Sequence, residues 1–184
     1  MRNLLLILLL GCTIAACKQP VKGKNGVSYD SAVEYNDYIV ERQTNLMKNV
    51  LEFGNMEDSE MDSAESYLRR YAGQAETMIH EIKGMPAYKG DTSLRDAAVR
   101  SFSFYKRIFE KDYMDLLQIR KKGEDNITPE DVAEANRIVD KIGKEEEGYD
   151  EAFRKAQENY AAKNHMKLTD NKIQKEVDKL GKDN

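Results

Sequence analysis

The segment that decides the fold class is residues 31–53, which reads SAVEYNDYIVERQTNLMKNVLEF. Its apolar side chains recur mostly at spacings of three and four residues, the period of one face of an α-helix. They are Ala32, Val33, Ile39, Val40, Leu46, Met47, Val50 and Leu51. No stretch of the chain has the strict two-residue alternation of a half-buried strand. The sequence therefore predicts a long amphipathic helix here, ended by Gly54-Asn55.

Three later segments repeat this helical pattern. They lie at about residues 59–83, 91–122 and 128–163. The last has the strongest start signal, because Thr128 is a suitable N-cap and Pro129 occupies the first helical position. Its predicted buried stripe is Val132, Ala135, Val139, Ile142, Tyr149, Phe153, Ala156 and Tyr160. Gly143 and Gly148 interrupt the stripe and favour a kink, since glycine is a poor helix former.

Four amphipathic helices joined by short loops can bury their apolar stripes against one another. We therefore expect an all-α fold, an antiparallel four-helix bundle of long helices over residues 29–168. Residues 169–184 have only Ile173, Val177 and Leu180 at helical spacing, which predicts a marginal helix or a disordered tail. The net charge of −4 at pH 7 excludes a strongly basic nucleic-acid binder.

Residues 1–16 have the features of a secretory signal peptide. A positive start at Arg2 precedes an unbroken apolar run at residues 4–10, which is too short to span a bilayer. The run closes with Ile14-Ala15-Ala16-Cys17, which resembles the bacterial lipobox. The resemblance implies cleavage before Cys17 and attachment of lipid to its sulfur and its new amino group. The alternative is an ordinary signal peptide in which the cysteine is coincidental.

The chain has two cysteines, Cys12 and Cys17. If Cys12 leaves with the signal peptide and Cys17 is acylated, the mature chain has no free thiol, disulfide or cysteine metal site. Residues 17–28 comprise the lipidated cysteine and a segment rich in glycine and lysine, which predicts a flexible linker. Its lysines either lie against anionic headgroups or are solvated. By resemblance to lipoprotein sorting signals, Lys18 favours the outer membrane, on either its periplasmic or its outer face.

Three short segments resemble a family of bacterial surface lipoproteins first named from spirochaetes. They are residues 89–95 (KGDTSLR), 101–106 (SFSFYK) and 161–166 (AAKNHM). The resemblance implies an α-helical envelope lipoprotein of unassigned activity, with no catalytic residues to carry over. The sequence also has no recognisable nucleophile triad and no glycine-rich phosphate loop. We therefore expect a protein that is not an enzyme.

The two histidines do not predict a metal or haem site. Di-iron bundles place Glu-x-x-His on two helices, but Thr77 stands three residues before His80 and Ala162 three before His165. We expect His80 to be partly exposed near a helix C-terminus, where it interacts favourably with the helix dipole. The acidic residues at 57–62 lack the glycine and distal glutamate of an EF-hand loop, so they predict a solvated helix start.

Four polar residues occupy positions where apolar ones are expected: Asn36, Gln43, Asp112 and Glu146. Buried polar groups must be paired, and such sets either fix the register of a bundle or line a ligand site. We favour register, or simple exposure, over a ligand pocket. The ten tyrosines are expected to complete the core with their hydroxyls at its edge. An aromatic groove for a partner is the alternative.

The sequence as a whole predicts a membrane-tethered envelope lipoprotein with a non-enzymatic binding or structural role and no cofactor. Its expected partners are the membrane, through the lipid anchor on Cys17, and an envelope protein, but not nucleic acid. The alternative is a carrier that holds a small ligand or a metal in the interior of the bundle.

Overall fold

The computed structural model describes residues 20–56 and 61–168. The helices are α1 (Ala32–Gly54), α2 (Met61–Lys83), α3 (Ser93–Arg107), α4 (Tyr113–Arg120) and α5 (Pro129–Lys163), with a 3-10 turn at Glu124–Asn126. The predicted all-α class is confirmed, because strand in the described ranges is limited to a two-stranded hairpin. The predicted signal peptide, Cys17, the acidic residues 57–60 and the tail 169–184 lie outside the described residues.

Side-chain caps set the starts of the first and last helices. Ser31 Oγ accepts a hydrogen bond of 3.1 Å from the backbone N–H of Glu34, ahead of α1. Thr128 and Asp131 form a reciprocal capping box around Pro129, the first residue of α5. The start predicted for the last helix is therefore confirmed. This helix then continues through both of its glycines to Lys163.

The third predicted helix differs from expectation because a π-helical turn, Ile108–Asp112, joins α3 to α4. At this turn the backbone N–H of Tyr113 bonds to the carbonyl of Ile108, five residues back. The wider turn changes which side chains face inward. Ile108, Phe109 and Asp112 are consequently all buried, and the helical segment ends at Arg120.

The core lies between the inward faces of the helices. The most extensive packing is between α2 and α3, followed by that between α3 and α5. The largest fully buried side chains are Tyr29, Tyr35, Tyr71, Tyr105, Tyr160, Phe102, Phe109, Ile39, Leu46, Met47, Leu68 and Ile82. Tyrosine and methionine thus supply core volume that leucine and isoleucine provide in most domains.

The predicted buried stripe of α5 is wrong at three of its positions. Val132 and Val139 are 49% and 51% exposed, and Tyr149 is 37% exposed. Ile142, which belongs to the predicted stripe, is buried, and so is Ile138, which does not. Near Val132 and Val139, hydrogen bonds join α5 to Lys122, just after α4, and to Asp112 of the π turn. Because the helix packs there on one side, its buried face is narrower than the apolar stripe.

The predicted flexible linker is also corrected by the structure. In its described part, the strands β1 (Val21–Lys22) and β2 (Ser28–Tyr29) form an antiparallel hairpin. The turn between them contains Gly26 at φ 81°, a left-handed conformation that favours glycine. Tyr29 is only 2% exposed and anchors the hairpin in the core. Among the described residues, regular structure is therefore present from Val21, within the segment predicted as a linker.

Candidate functional site

The predicted lipidation residue, Cys17, lies just before the hairpin but outside the described residues. The hairpin is bound to the end of α2 and the residues that follow it. The backbone N–H of Asn25 donates to the carbonyl of Gly84 at 3.2 Å. The Asn25 side-chain amide donates to the carbonyl of Glu81, also at 3.2 Å. These bonds fix the direction in which the chain enters the domain.

Two glycines allow this close approach. A β-carbon on Gly84 would lie 2.8 Å from the backbone nitrogen of Asn25, and one on Gly23 would lie 2.8 Å from the Gly84 carbonyl oxygen. Both distances are too short for a real contact, so the hairpin requires glycine at both positions. This contact was not predicted from the sequence. The pair Asn25-Gly26, a common hairpin signal, is the feature that would have indicated it.

Asn36 is the first member of the predicted polar set and is 6% exposed. Its side-chain oxygen accepts a hydrogen bond of 2.9 Å from the Gln157 amide of α5. Its own amide donates to Asp37 at 3.1 Å. Gln43, predicted to belong to the same set, is half-buried. The Asn36 contact links α1 to α5 at one level, as expected of a residue that fixes register.

Asp112 is buried in the π turn, with 2% of its surface exposed. One carboxylate oxygen accepts a hydrogen bond from Arg107 and the other from Lys141, both at 2.8 Å. Arg107 is also paired with Glu145 of α5. Two cations therefore compensate the buried carboxylate, and they come from α3 and α5. Asp112 was predicted from the sequence, but its partners were not. Lys141 is distant along the chain, and Arg107 is separated from Asp112 by the π turn, which was not expected.

Glu146, the last member of the set, is half-buried and accepts a hydrogen bond of 2.9 Å from the Tyr105 hydroxyl. Burial raises the pKa of Tyr105 well above its ordinary value, and the negative charges of Asp150 and Glu146 raise it further. Tyr105 therefore stays a neutral donor to the carboxylate. Asn36, Asp112 and Glu146 each have a partner on another helix, which fits a register role for the set.

Four tyrosines form a cluster beside the hairpin. The ring centroid of Tyr35 lies 5.2 Å from that of Tyr29, 5.3 Å from Tyr88 and 5.5 Å from Tyr160. The Tyr35 hydroxyl donates to the carbonyl of Pro86 at 2.9 Å. This arrangement agrees with the prediction that tyrosines complete the core and place their hydroxyls at its edge.

The described histidines occupy solvent-facing positions. His80 is exposed in the last turn of α2, as predicted, and His165 is exposed after α5. Within residues 20–56 and 61–168, no group of three or more His, Cys, Asp or Glu side chains is placed to hold a metal ion. Over the same ranges, no helix has the length and apolar character needed to cross a membrane.

An open groove runs between the start of α3 and the end of α5, and its walls combine polar and apolar surface. Across it, Lys163 Nζ lies 2.6 Å from a carboxylate oxygen of Asp91. Hydrogen bonds from Lys163 and from Ser93 hold the pKa of that carboxyl well below its usual range. Lys89 Nζ also donates to the Asn164 side chain at 3.0 Å. These contacts tie the end of α5 to the start of α3.

No family model, curated protein or solved structure matches this chain. The likeness to the spirochaete-named lipoprotein family therefore stays a prediction from three short segments. The described residues therefore provide two features: polar side chains that pair between helices, and a hairpin that lies close to Cys17 in the sequence.

Proposed function

We propose that this chain is a bacterial envelope lipoprotein, attached to the membrane by lipid on Cys17, whose helical domain is not an enzyme. The observation that carries the proposal is the apolar run at residues 4–10 followed by Ile14-Ala15-Ala16-Cys17. Each buried methylene of an acyl chain contributes about 0.8 kcal/mol, and two chains suffice for stable attachment. Lys18, directly after the cysteine, favours the outer membrane.

The domain in this proposal is an antiparallel four-helix bundle, in which α3, the π turn and α4 together count as the third helix. The order of the contacts between helices supports this topology. The contacts are Arg42–Glu81 and Asn49–Gln74 between α1 and α2, Glu76–Lys106 and Glu65–Lys121 between α2 and the third helix, and Asp91–Lys163 and Tyr105–Glu146 between that helix and α5. In each pair of helices, the residue numbers of the contacts increase along one helix as they decrease along the other, as expected for antiparallel packing.

The domain binds another envelope component or holds it at a distance from the membrane. The polar interior supports this role over that of an interior ligand carrier. The buried carboxylate of Asp112 is already paired with Arg107 and Lys141, and Asn36 is paired with Gln157. Polar groups that satisfy one another in this way specify how helices fit together.

Lipidation is tested with two cysteine variants of the full chain. We expect the wild type and Cys12→Ala to incorporate labelled palmitate and to fractionate with membranes. Cys17→Ala should accumulate as a precursor without palmitate, because it lacks the thiol that accepts the lipid. Globomycin, which blocks the lipoprotein signal peptidase, should leave wild-type protein uncleaved. Normal processing and membrane attachment of Cys17→Ala would refute the proposal.

The partner is sought by cross-linking in intact cells, followed by mass spectrometry of the proteins that co-purify. A carrier would give a different result. Protein purified from its native membrane would then contain a metal by elemental analysis or a ligand by absorption spectroscopy, and we expect neither.

A further inference from the structure

One end of the molecule, which we call the hairpin pole, is formed by residues 20–30, the chain from 83 to 92 and the end of α5. The hairpin reaches this chain through the bond from Asn25 to the Gly84 carbonyl. The end of α5 reaches it through the 3.0 Å bond from Lys89 to Asn164. The start of the described chain and the residue nearest to Cys17 therefore lie at the hairpin pole.

The hairpin pole is rich in exposed lysines. They are Lys22, Lys24, Lys83, Lys89 and Lys167. Among the described residues, none of these lysines takes part in an ion pair, whereas two acids near them are compensated. Glu81 is paired with Arg42, and Asp91 with Lys163. The exposed lysines therefore outnumber the remaining nearby acids, which lie at the start of α1.

The opposite end of the molecule has a different charge arrangement. Lys122 Nζ lies 2.6 Å from Asp131, and Lys121 Nζ lies 3.9 Å from Glu65. Lysines between the end of α4 and the start of α5 are thus neutralised by acidic residues of the protein itself. The hairpin pole thus brings together five exposed lysines without an ion pair, whereas the other exposed lysines of the described chain that lack one, Lys48, Lys144 and Lys155, lie along the helices.

The tether to the proposed anchor is short. Three residues, 18–20, separate Cys17 from Val21, the first residue of β1, so the two positions are four residue steps apart. Even a fully extended chain spans at most about 3.5 Å per residue, so Val21 lies within about 14 Å of Cys17. Lipid on Cys17 would hold the hairpin pole close to the membrane surface. A short tether also gives a high effective concentration of the lysines at that surface.

We propose that the hairpin pole docks on the anionic lipid headgroups of the membrane that holds the Cys17 anchor. This inference rests on the proposed lipidation, which gives the domain its tether. The lysines supply the complementary charge, and each lysine near an anionic surface strengthens binding about fivefold. In this orientation the hairpin, Lys83 and Lys89 contact the membrane, and the loop between α4 and α5 points away from it.

The test uses lysine acetylation on mature wild-type protein, purified with its lipid and reconstituted into vesicles. One set of vesicles contains phosphatidylglycerol and phosphatidylcholine, and the other contains phosphatidylcholine alone. Acetylation rates are read for each lysine by mass spectrometry. Lys48 and Lys144 serve as matched controls, because both are exposed and lie away from the hairpin pole. The intact mass of the protein is measured first, to establish whether Cys17 carries lipid.

In the anionic vesicles we expect acetylation of Lys22, Lys24, Lys83 and Lys89 to slow about fivefold relative to the neutral vesicles. High salt should remove this difference, because it screens the headgroup charge. Lys48 and Lys144 should react equally in both. The double variant Lys22→Gln with Lys24→Gln should weaken the protection of Lys83 and Lys89, whereas Lys48→Gln with Lys144→Gln should not.

Three results would overturn the inference. Lipidated protein whose pole lysines react equally in both vesicle types refutes the docking but leaves the lipidation intact. Protein without lipid on Cys17 refutes the proposed function and the docking together. Protection that appears in native membranes but in neither kind of vesicle assigns the hairpin pole to a protein partner.

Discussion

Gly84 is the residue at which the hairpin and the helical domain come closest. Its carbonyl accepts the bond from Asn25, and a β-carbon there would lie 2.8 and 2.9 Å from the backbone nitrogen and β-carbon of Asn25. We expect Gly84→Ala to lower the free energy of unfolding by about 1–3 kcal/mol, since backbone atoms must shift to make room. Urea denaturation measures the loss, and faster hydrogen exchange at the Asn25 amide would locate it.

Gly143 provides the matched control for this substitution. It lies inside α5, and a β-carbon there would have no neighbour within 4 Å. Alanine loses less backbone freedom than glycine when a helix forms, so Gly143→Ala should raise the free energy of unfolding by about 0.5–1 kcal/mol. Equal effects at the two positions would show that the contact between Gly84 and Asn25 does not hold the hairpin.

Within α5, apolar residues of the predicted stripe differ widely in exposure, although the sequence pattern treats them alike. We expect Ile142→Ala to cost about 2–5 kcal/mol, because Ile142 is 7% exposed. Val139→Ala should change stability by less than about 0.5 kcal/mol, because Val139 is 51% exposed. Both are measured by urea denaturation of the full chain. A cost at Val139 as large as at Ile142 would mean that another part of the chain covers this face.

The elements that the sequence predicts well are those determined by local chemistry. Caps at Ser31 and Thr128 depend on hydrogen bonds to neighbouring residues, so the starts of α1 and α5 follow from the sequence. The π turn was not predicted, because its stability depends on partners such as Lys141, which is distant along the chain. The hairpin was missed since glycine and lysine content suggested a linker, while the contact at Gly84 is formed only in the folded domain.

In the candidate site, too, local sequence features were predictable and contacts between distant residues were not. Asn36, Asp112 and Glu146 were predicted as a polar set because they break apolar stripes, a feature of the sequence itself. Their partners Gln157 and Arg107 have no such signature, since polar residues on a helix surface are ordinary. Which polar residue pairs with which depends on helix packing, and a single sequence does not contain that information.

At the scale of the whole molecule, the core's dependence on tyrosine has a consequence for alkaline pH. Burial is the largest cause of a raised pKa at Tyr29, Tyr35, Tyr38, Tyr71, Tyr88, Tyr105, Tyr113 and Tyr160. For Tyr29 and Tyr71 the pKa is raised to about 12 from an ordinary value of 10.0. In the unfolded chain these hydroxyls ionise at their ordinary pKa, whereas in the fold they keep their protons to higher pH.

The sign of the effect follows from proton binding. Below pH 10 both states are protonated and the free energy of unfolding does not depend on these groups. Above pH 10 the folded state holds more protons than the unfolded state, so stability falls as pH rises towards the folded pKa values. Each tyrosine that stays protonated in the folded state lowers the free energy of unfolding by about 1.4 kcal/mol per pH unit. Within two pH units, the combined loss from several such tyrosines exceeds a typical free energy of unfolding of about 5–15 kcal/mol.

We therefore expect the domain to unfold cooperatively between pH 10 and about pH 12, before its buried tyrosines ionise in place. Tyrosinate absorbance and loss of helical circular dichroism should then change in one coincident step. Tyr71→Phe should make this step less steep by one proton, with little change at neutral pH, because the Tyr71 hydroxyl has no hydrogen-bond partner among the described residues. Gradual tyrosinate formation from pH 10 with an unchanged helical signal would contradict this expectation. It would mean that these hydroxyls reach solvent in the native state and that the core is more open than the packing of its rings indicates.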